Sequence, residues 1–103
     1  MIRRIELEFA PEALEDLLSL HLYIAGEAGG RIAGGYVQRI QDACMALTAF
    51  PLRGTRRDDL SPGVRTIGFE RRATIAFIVH DDRVEIVRIF YGGRDFERLL
   101  GDD

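Results

Sequence analysis

Between Val64 and Tyr91 the chain carries a succession of strand-length apolar runs with only a few residues between them. The runs are Val64 to Phe69, Ala73 to His80 and Val84 to Tyr91. A parallel crossover needs a dozen or more residues, so connections this short join neighbours as an antiparallel meander. Asp81-Asp82 fits a tight hairpin between the last two runs. The middle run, Thr74-Ile75-Ala76-Phe77-Ile78-Val79, is almost wholly apolar and is expected to be the central strand, buried on both faces. Any fold for this chain must therefore supply a second layer to cover that sheet.

The upstream half supplies it. Arg3 to Phe9 alternates, with Ile5, Leu7 and Phe9 on one face and Arg4, Glu6 and Glu8 on the other, which reads as a half-buried strand. Pro11 and Glu12 then fit the first turn of a helix. Leu14, Leu17, Leu18, His21 and Ile24 or Ala25 follow helical spacing as its apolar stripe, and Gly26 and Gly29-Gly30 end it. A second helix is expected from about Arg31 to Phe50, burying Ala33, Val37, Ile40, Cys44 and Leu47 and stopped by Pro51. Gly34-Gly35 near its start costs roughly 1 kcal/mol per glycine relative to alanine, and implies either a later start or a close approach of the first helix. The short glycine-rich connection makes the two helices an antiparallel hairpin. Leu52 to Pro62 reads as a polar loop, and Asp95 to Leu100 has room for one or two closing helical turns. The expectation is one α+β domain over 1–103, in the order βααβββ, with the hairpin on one sheet face.

Composition narrows the class. A chain of 103 residues, 47% hydrophobic and 30% charged, builds one small packed domain. No apolar run reaches the ~18 residues of a spanning helix, and Met1-Ile2-Arg3-Arg4 leads into the alternating strand without the apolar core of a secretory leader. The lone Cys44 permits no internal disulfide, which suits a reducing cytoplasm. All 14 basic residues are arginine, so every fixed positive charge is a planar fork suited to carboxylate or phosphate. The formal net charge of -3 nonetheless counts against a general nucleic-acid binder.

Few residues offer chemistry. Arg65, Arg71, Arg72, Arg88 and Arg94 fall on the meander and its edges, either as a surface for an acidic partner or phosphate, or paired with Glu70, Glu85, Asp95 and Glu97. Arg88 is in phase with Val84, Ile86 and Phe90, and a charge in an apolar row needs a partner. Arg94 could bind phosphate, or brace the sheet while Asp95 caps a helix. Of the two histidines, His21 lies on a helical apolar face and reads as a core or boundary residue; His80, beside Asp81-Asp82, is the best general-base candidate, with a hairpin-edge role as the plainer reading. Two separated histidines and Cys44 make no zinc site, and the glycine pairs match no phosphate loop. Neither metal nor cofactor is expected, and no residue is assigned as catalytic.

Taken together, Pro51 and Gly54 after a helix pair, the Leu60-Ser61-Pro62-Gly63-Val64-Arg65 lead-in, the meander, and the closing Gly92-Gly93-Arg94-Asp95 resemble the RelE/ParE superfamily of bacterial type II toxins, also known as plasmid stabilisation proteins. The resemblance runs from about Ile5 to Leu100 and is closer to the ParE branch. It implies a toxin held inactive by a cognate antitoxin, typically ParD-like with a ribbon-helix-helix DNA-binding region, so that DNA is met only indirectly, within a hetero-oligomeric complex. It implies DNA gyrase as the target, bound rather than turned over, through Arg65, Arg88, Tyr91 and Arg94. It further implies antitoxin contacts on the hairpin at Leu14, Leu18, His21 and Tyr36. The alternative within the superfamily is a RelE-like, ribosome-dependent mRNA endonuclease. Its arginine and C-terminal tyrosine positions correspond here to Thr74 and a site near Leu100, and Arg94 alone matches.

Overall fold

A computed structural model describes residues 5–92. Strand β1 (Glu6–Phe9) leads into helices α1 (Pro11–Ala28) and α2 (Gly30–Ala46), followed by β2 (Thr55–Arg56), β3 (Val64–Phe69), β4 (Ala73–Val79) and β5 (Arg83–Tyr91). The sheet order is β1-β5-β4-β3-β2, so β4 is central as expected. The meander is antiparallel throughout, and β1 returns beside β5 as a parallel strand. Arg3, Arg4 and the closing segment from Arg94 to Leu100 lie outside the described residues.

The helical hairpin covers one sheet face. Leu17, Leu20 and Ile24 of α1 and Tyr36, Ile40 and Cys44 of α2 meet Ile75, Phe77, Val84, Ile86 and Ile89 in the main core. Val64, Ala76 and Phe90 form a smaller cluster, joined by the partly buried Ile78. Cys44 is a fully buried core residue, and burial pushes its thiol up to about 12, far from a reactive thiolate.

Four details depart from the sequence reading. First, α1 turns a different face inward. Ala13, Leu17, Leu20 and Ile24 are buried, while Leu14 and Leu18 are exposed. Leucines crowd the helix densely enough to fit adjacent stripes, and the tie-breaker is polar: Asp16 accepts hydrogen bonds from Arg88 and from the Ile89 backbone N–H, which fixes the rotation of the helix. Second, Tyr36 rather than Val37 lies at the centre of the α2 stripe. Third, α2 ends at Ala46, and the chain runs on in turns to Phe50. Fourth, the polar loop holds a two-residue strand, β2, whose Thr55 and Arg56 pair with Thr66 and Arg65.

Gly34 and Gly35 lie inside α2, so the helix does not start late. Nor do they admit a close neighbour: a Cβ at Gly34 meets nothing within 4 Å, and one at Gly35 meets only the Arg39 guanidinium at 3.8 Å. Gly34→Ala is accordingly expected to stabilise the fold by about 1 kcal/mol, the usual helix-interior difference. A urea titration reads this directly, and a loss of stability would mean that α2 is locally uncoiled there.

Candidate functional site

β1 pairs with Arg83 to Ile86, so among the described residues the remainder of β5 is a sheet edge with α1 beside it. That edge gathers most of the polar and aromatic side chains of interest. Arg88 donates from Nε and Nη2 to the two Asp16 carboxylate oxygens at 2.8 and 3.1 Å, and the Ile89 N–H donates to Oδ2 at 2.8 Å. Asp16 thus stands where the carbonyl of a neighbouring strand would stand, and closes the edge there. The Arg88 guanidinium also lies 5.1 Å from the Phe90 ring centroid, and its hydrogen bonds to Asp16 hold its pKa above the ordinary arginine value.

The phase change that puts Arg88 there is a bulge. Phe77 pairs with Ile86 but Ala76 pairs with Arg88, which leaves Val87 unmatched. Val84 and Ile86 consequently belong to the main core while Phe90 belongs to the smaller one. Arg88 is therefore not in the row of Val84 and Ile86; the partner it requires is Asp16.

Further along β5, Tyr91 sits in an aromatic chain. Its ring centroid is 6.0 Å from that of Tyr23 and 5.6 Å from that of Tyr36, which meets Phe69 edge-on at 5.6 Å. Burial raises the Tyr36 phenol pKa, and its hydroxyl finds no hydrogen-bond partner among the described residues. Between α1 and this edge opens a cleft of about 400 Å³, lined by Asp16, Ser19, Tyr23, Arg72, Ile89 and Tyr91 among others. Asp16, Ser19 and Tyr23 had no signal in the sequence beyond a carboxylate one helical turn from a buried leucine.

Among the described residues, Arg65 and Arg88 do not converge. Arg65 is on β3 opposite Phe77 and donates to the Leu52 carbonyl at 3.2 Å, two strands from Arg88. At about 4.8 Å per strand that is roughly 10 Å across the sheet. Arg39 and Glu70 form a two-pronged pair, whose hydrogen bond holds the Glu70 carboxyl below the usual range. Arg71 and Arg72 are exposed at the β3–β4 turn, where Glu70 and Arg71 take left-handed φ angles of 48° and 62°. His80 Nε2 lies 2.8 Å from Glu85 Oε1 at the other end of β5. From Glu85 to Tyr91 the strand runs roughly 20 Å at about 3.3 Å per residue, so this imidazole does not reach the cleft. No metal-holding group of acidic, histidine and cysteine side chains occurs among the described residues.

On the hairpin, Leu14 and Leu18 are exposed, His21 is half-buried and Tyr36 is in the core rather than on the outer surface. Leu22 and Tyr23, which the sequence reading passed over, join Leu14 and Leu18 as exposed apolar side chains of α1. Among the described residues no helix is long and apolar enough to cross a membrane.

Known proteins share this sequence pattern and fold. Residues 7–96 match the family model for the ParE toxin of the type II toxin–antitoxin system parDE. Toxin ParE3 of Caulobacter vibrioides is 32% identical over 73 residues, covering 71% of this chain and 72% of that protein. The chromosomal ParDE toxin–antitoxin system of P. aeruginosa contains a chain that superposes with a TM-score of 0.75 at 27% identity, over 86% of this chain and 97% of that one. A chain of the RelBE2 toxin–antitoxin complex from Mycobacterium tuberculosis superposes at 0.60 and 17% identity, over 85% and 98%, a likeness of fold alone.

Proposed function

The chain belongs to the ParE toxin family of type II toxin–antitoxin systems, and from that membership we propose that it arrests growth by binding DNA gyrase stoichiometrically and is neutralised in the cytoplasm by an antitoxin encoded beside it. The observation that carries the antitoxin half is the row of exposed leucines on α1, an apolar face on a helix whose opposite face already fills the core. A soluble domain leaves such a face open for a partner. A ParD-like antitoxin covers it with a helical segment that meets Leu14, Leu18 and His21, and brings DNA into the complex through its own ribbon-helix-helix region. Tyr36 contributes from behind, by fixing Tyr91 and Phe69.

The target half rests on family membership and on the scatter of groups that acid–base chemistry would have to assemble. Cleavage of RNA at a 2'-hydroxyl needs a base, charge for the phosphorane and an acid for the leaving oxygen, all within contact distance. His80 is bound to Glu85 far from the cleft, and Arg88 is occupied by Asp16. Gyrase contact is assigned to Arg65, Tyr91, Arg94 and the segment after it, with Arg88, held by Asp16, as a support. Arg65→Ala is the clean probe, because it removes one carbonyl contact, whereas Arg88→Ala also frees Asp16.

The test is plasmid supercoiling by purified gyrase in the presence of refolded toxin. Inhibition near equimolar toxin, relieved by the antitoxin and weakened by Arg65→Ala, is the expected result. A contact at a binding hot spot is worth about 2 kcal/mol, or roughly thirtyfold in potency. Fully active gyrase at excess toxin, with toxicity in cells intact, would overturn the target. Codon-specific mRNA breaks under the same induction would put the RelE-like endonuclease in its place.

A further inference from the structure

We infer that the toxin meets its target through the sheet edge formed by β2 and β3. Phe50 and Leu52 are the apolar anchors there, and Arg53 and Arg65 take carboxylates of an acidic protein surface. The inference rests on the gyrase reading above and adds to Arg65 the anchors that surround it.

Phe50 and Leu52 flank Pro51, which has no N–H with which to prolong α2. They are 68 and 71% exposed, the most exposed large apolar side chains among the described residues, and Met45 in the last turn of α2 adds 57%. Backbone contacts fix them beside the arginines. The Phe50 N–H donates to the Ala46 carbonyl at 3.3 Å, and Arg65 donates to the Leu52 carbonyl at 3.2 Å. Arg53 lines a groove of about 500 Å³ together with Ala46, Ile67 and Gly68. β2 pairs with Arg65 and Thr66 alone, so Ile67 and Gly68 have no partner strand on the groove side among the described residues. Aromatic and arginine side chains are the types enriched at the cores of protein interfaces.

Charge selects the partner. The acids beside β2 are already claimed, Asp58 by Arg56 and Asp59 by Arg57, each at 2.9 Å. Arg53 enters no ion pair among the described residues, and the Arg65 guanidinium bonds only a neutral carbonyl. Two uncompensated forks thus face Asp42 alone, whose carboxylate accepts from Gln38. Such forks beside apolar anchors fit the carboxylates of an acidic protein. A two-fold dimer through this patch would gather the unpaired cations of both copies in one interface. The net charge of -3 counts against nucleic acid as the occupant. The antitoxin face is elsewhere: α1 packs beside β5, and β2 lies three strands on, roughly 14 Å at about 4.8 Å per strand.

The experiment is plasmid supercoiling by purified gyrase, titrated with the full-length toxin and its variants. Each variant is first checked for melting temperature and for binding to the product of the adjoining reading frame. Phe50→Ser with Leu52→Ser is expected to raise the half-inhibiting concentration about thirtyfold, and Arg53→Glu about tenfold. Both should melt and bind the antitoxin as the wild type does. Ile32→Ser changes another exposed apolar side chain of α2 and should leave inhibition as it is. If the double variant fails to fold, Arg53→Glu, at an exposed position, decides alone. Inhibition unchanged in these variants would overturn the inference and leave the gyrase reading standing. Loss of antitoxin binding in them would also overturn it, because the surface would then be the antitoxin's. Should the wild-type toxin leave gyrase active, the gyrase reading falls and colony formation on induction decides the inference. Viable colonies with the variants and none with the wild type uphold a target on this surface; any other pattern overturns it.

Discussion

Asp16→Ala is expected to cost about 3 kcal/mol of folding stability, although Asp16 lies on a helix that faces partly to solvent. Two losses combine. The Arg88 guanidinium forfeits both of its hydrogen bonds to carboxylate at a site where the side chains are only 22% and 12% exposed. Removing one partner of a buried pair costs about 3 to 5 kcal/mol, and partial exposure puts this pair near the lower end. The Ile89 N–H is also left without its acceptor, at about 1 to 3 kcal/mol when buried, a loss that overlaps with the first because water can reach the edge once the carboxylate is gone. Asp16→Asn separates the two: it keeps an acceptor for the Ile89 N–H and loses only the charge, so it should cost roughly half as much. Urea unfolding of both variants measures the difference. Asp16→Ala within about 0.5 kcal/mol of wild type would mean that the carboxylate does not set how α1 sits on β5.

Gly54→Ala is expected to be comparably damaging, at about 3 kcal/mol, for a steric reason. Gly54 has φ +81°, and a Cβ there would fall 2.5 Å from the Thr66 carbonyl oxygen and 2.6 Å from Ile67 Cγ2. The oxygen belongs to the backbone of β3, which pairs with both β2 and β4 and cannot shift alone. Overpacking typically costs about 1 to 3 kcal/mol, and the left-handed backbone adds about 1 to 2. Gly63→Ala is the control. Gly63 has a similar φ of +83°, but its Cβ would meet only Ile78 Cγ2, at 3.8 Å, so it carries the backbone cost alone. A Gly54→Ala variant no less stable than Gly63→Ala would show that the crossing at Thr66 is loose.

What could be read in the sequence was whatever one segment decides by itself. The extents of β3, β4 and β5 follow from apolar runs bounded by turn residues, and their short connections leave an antiparallel meander as the outcome. What could not be read needed two segments at once. Leu14 and Leu18 make as good a core stripe as Leu17 and Leu20 until Asp16 meets Arg88 across the chain. Strand β2 is two residues of ordinary loop composition, made a strand only by the edge that Val64 to Phe69 presents. The bulge at Val87 has no glycine to announce it; it arises because Arg88 pairs with Ala76 while Ile86 pairs with Phe77.

The candidate surfaces divide in the same way. Leu14 and Leu18 lie exposed on α1, where helical spacing alone places them in its inward stripe. The aromatic chain of Tyr23, Tyr91, Tyr36 and Phe69 joins α1, β5, α2 and β3, and no spacing along one element reveals it. The arginines looked like one cluster because they are close in the sequence of the meander. Pairing disperses them, since neighbours along a hairpin end on different strands, and Asp16 and the Leu52 carbonyl claim two of the forks.

The central claim is that this chain is a toxin restrained by a dedicated partner that covers α1. The most direct measurement is colony formation after induction of the chain alone, with the adjoining reading frame, and with that frame plus Leu14→Asp and Leu18→Asp in the toxin. The account predicts a loss of viable colonies by several orders of magnitude for the toxin alone and full recovery with its neighbour. It predicts no recovery when the exposed leucines are charged, since those changes leave the core untouched and remove the surface that the partner covers. Normal growth on induction of the intact, folded chain alone would contradict the account.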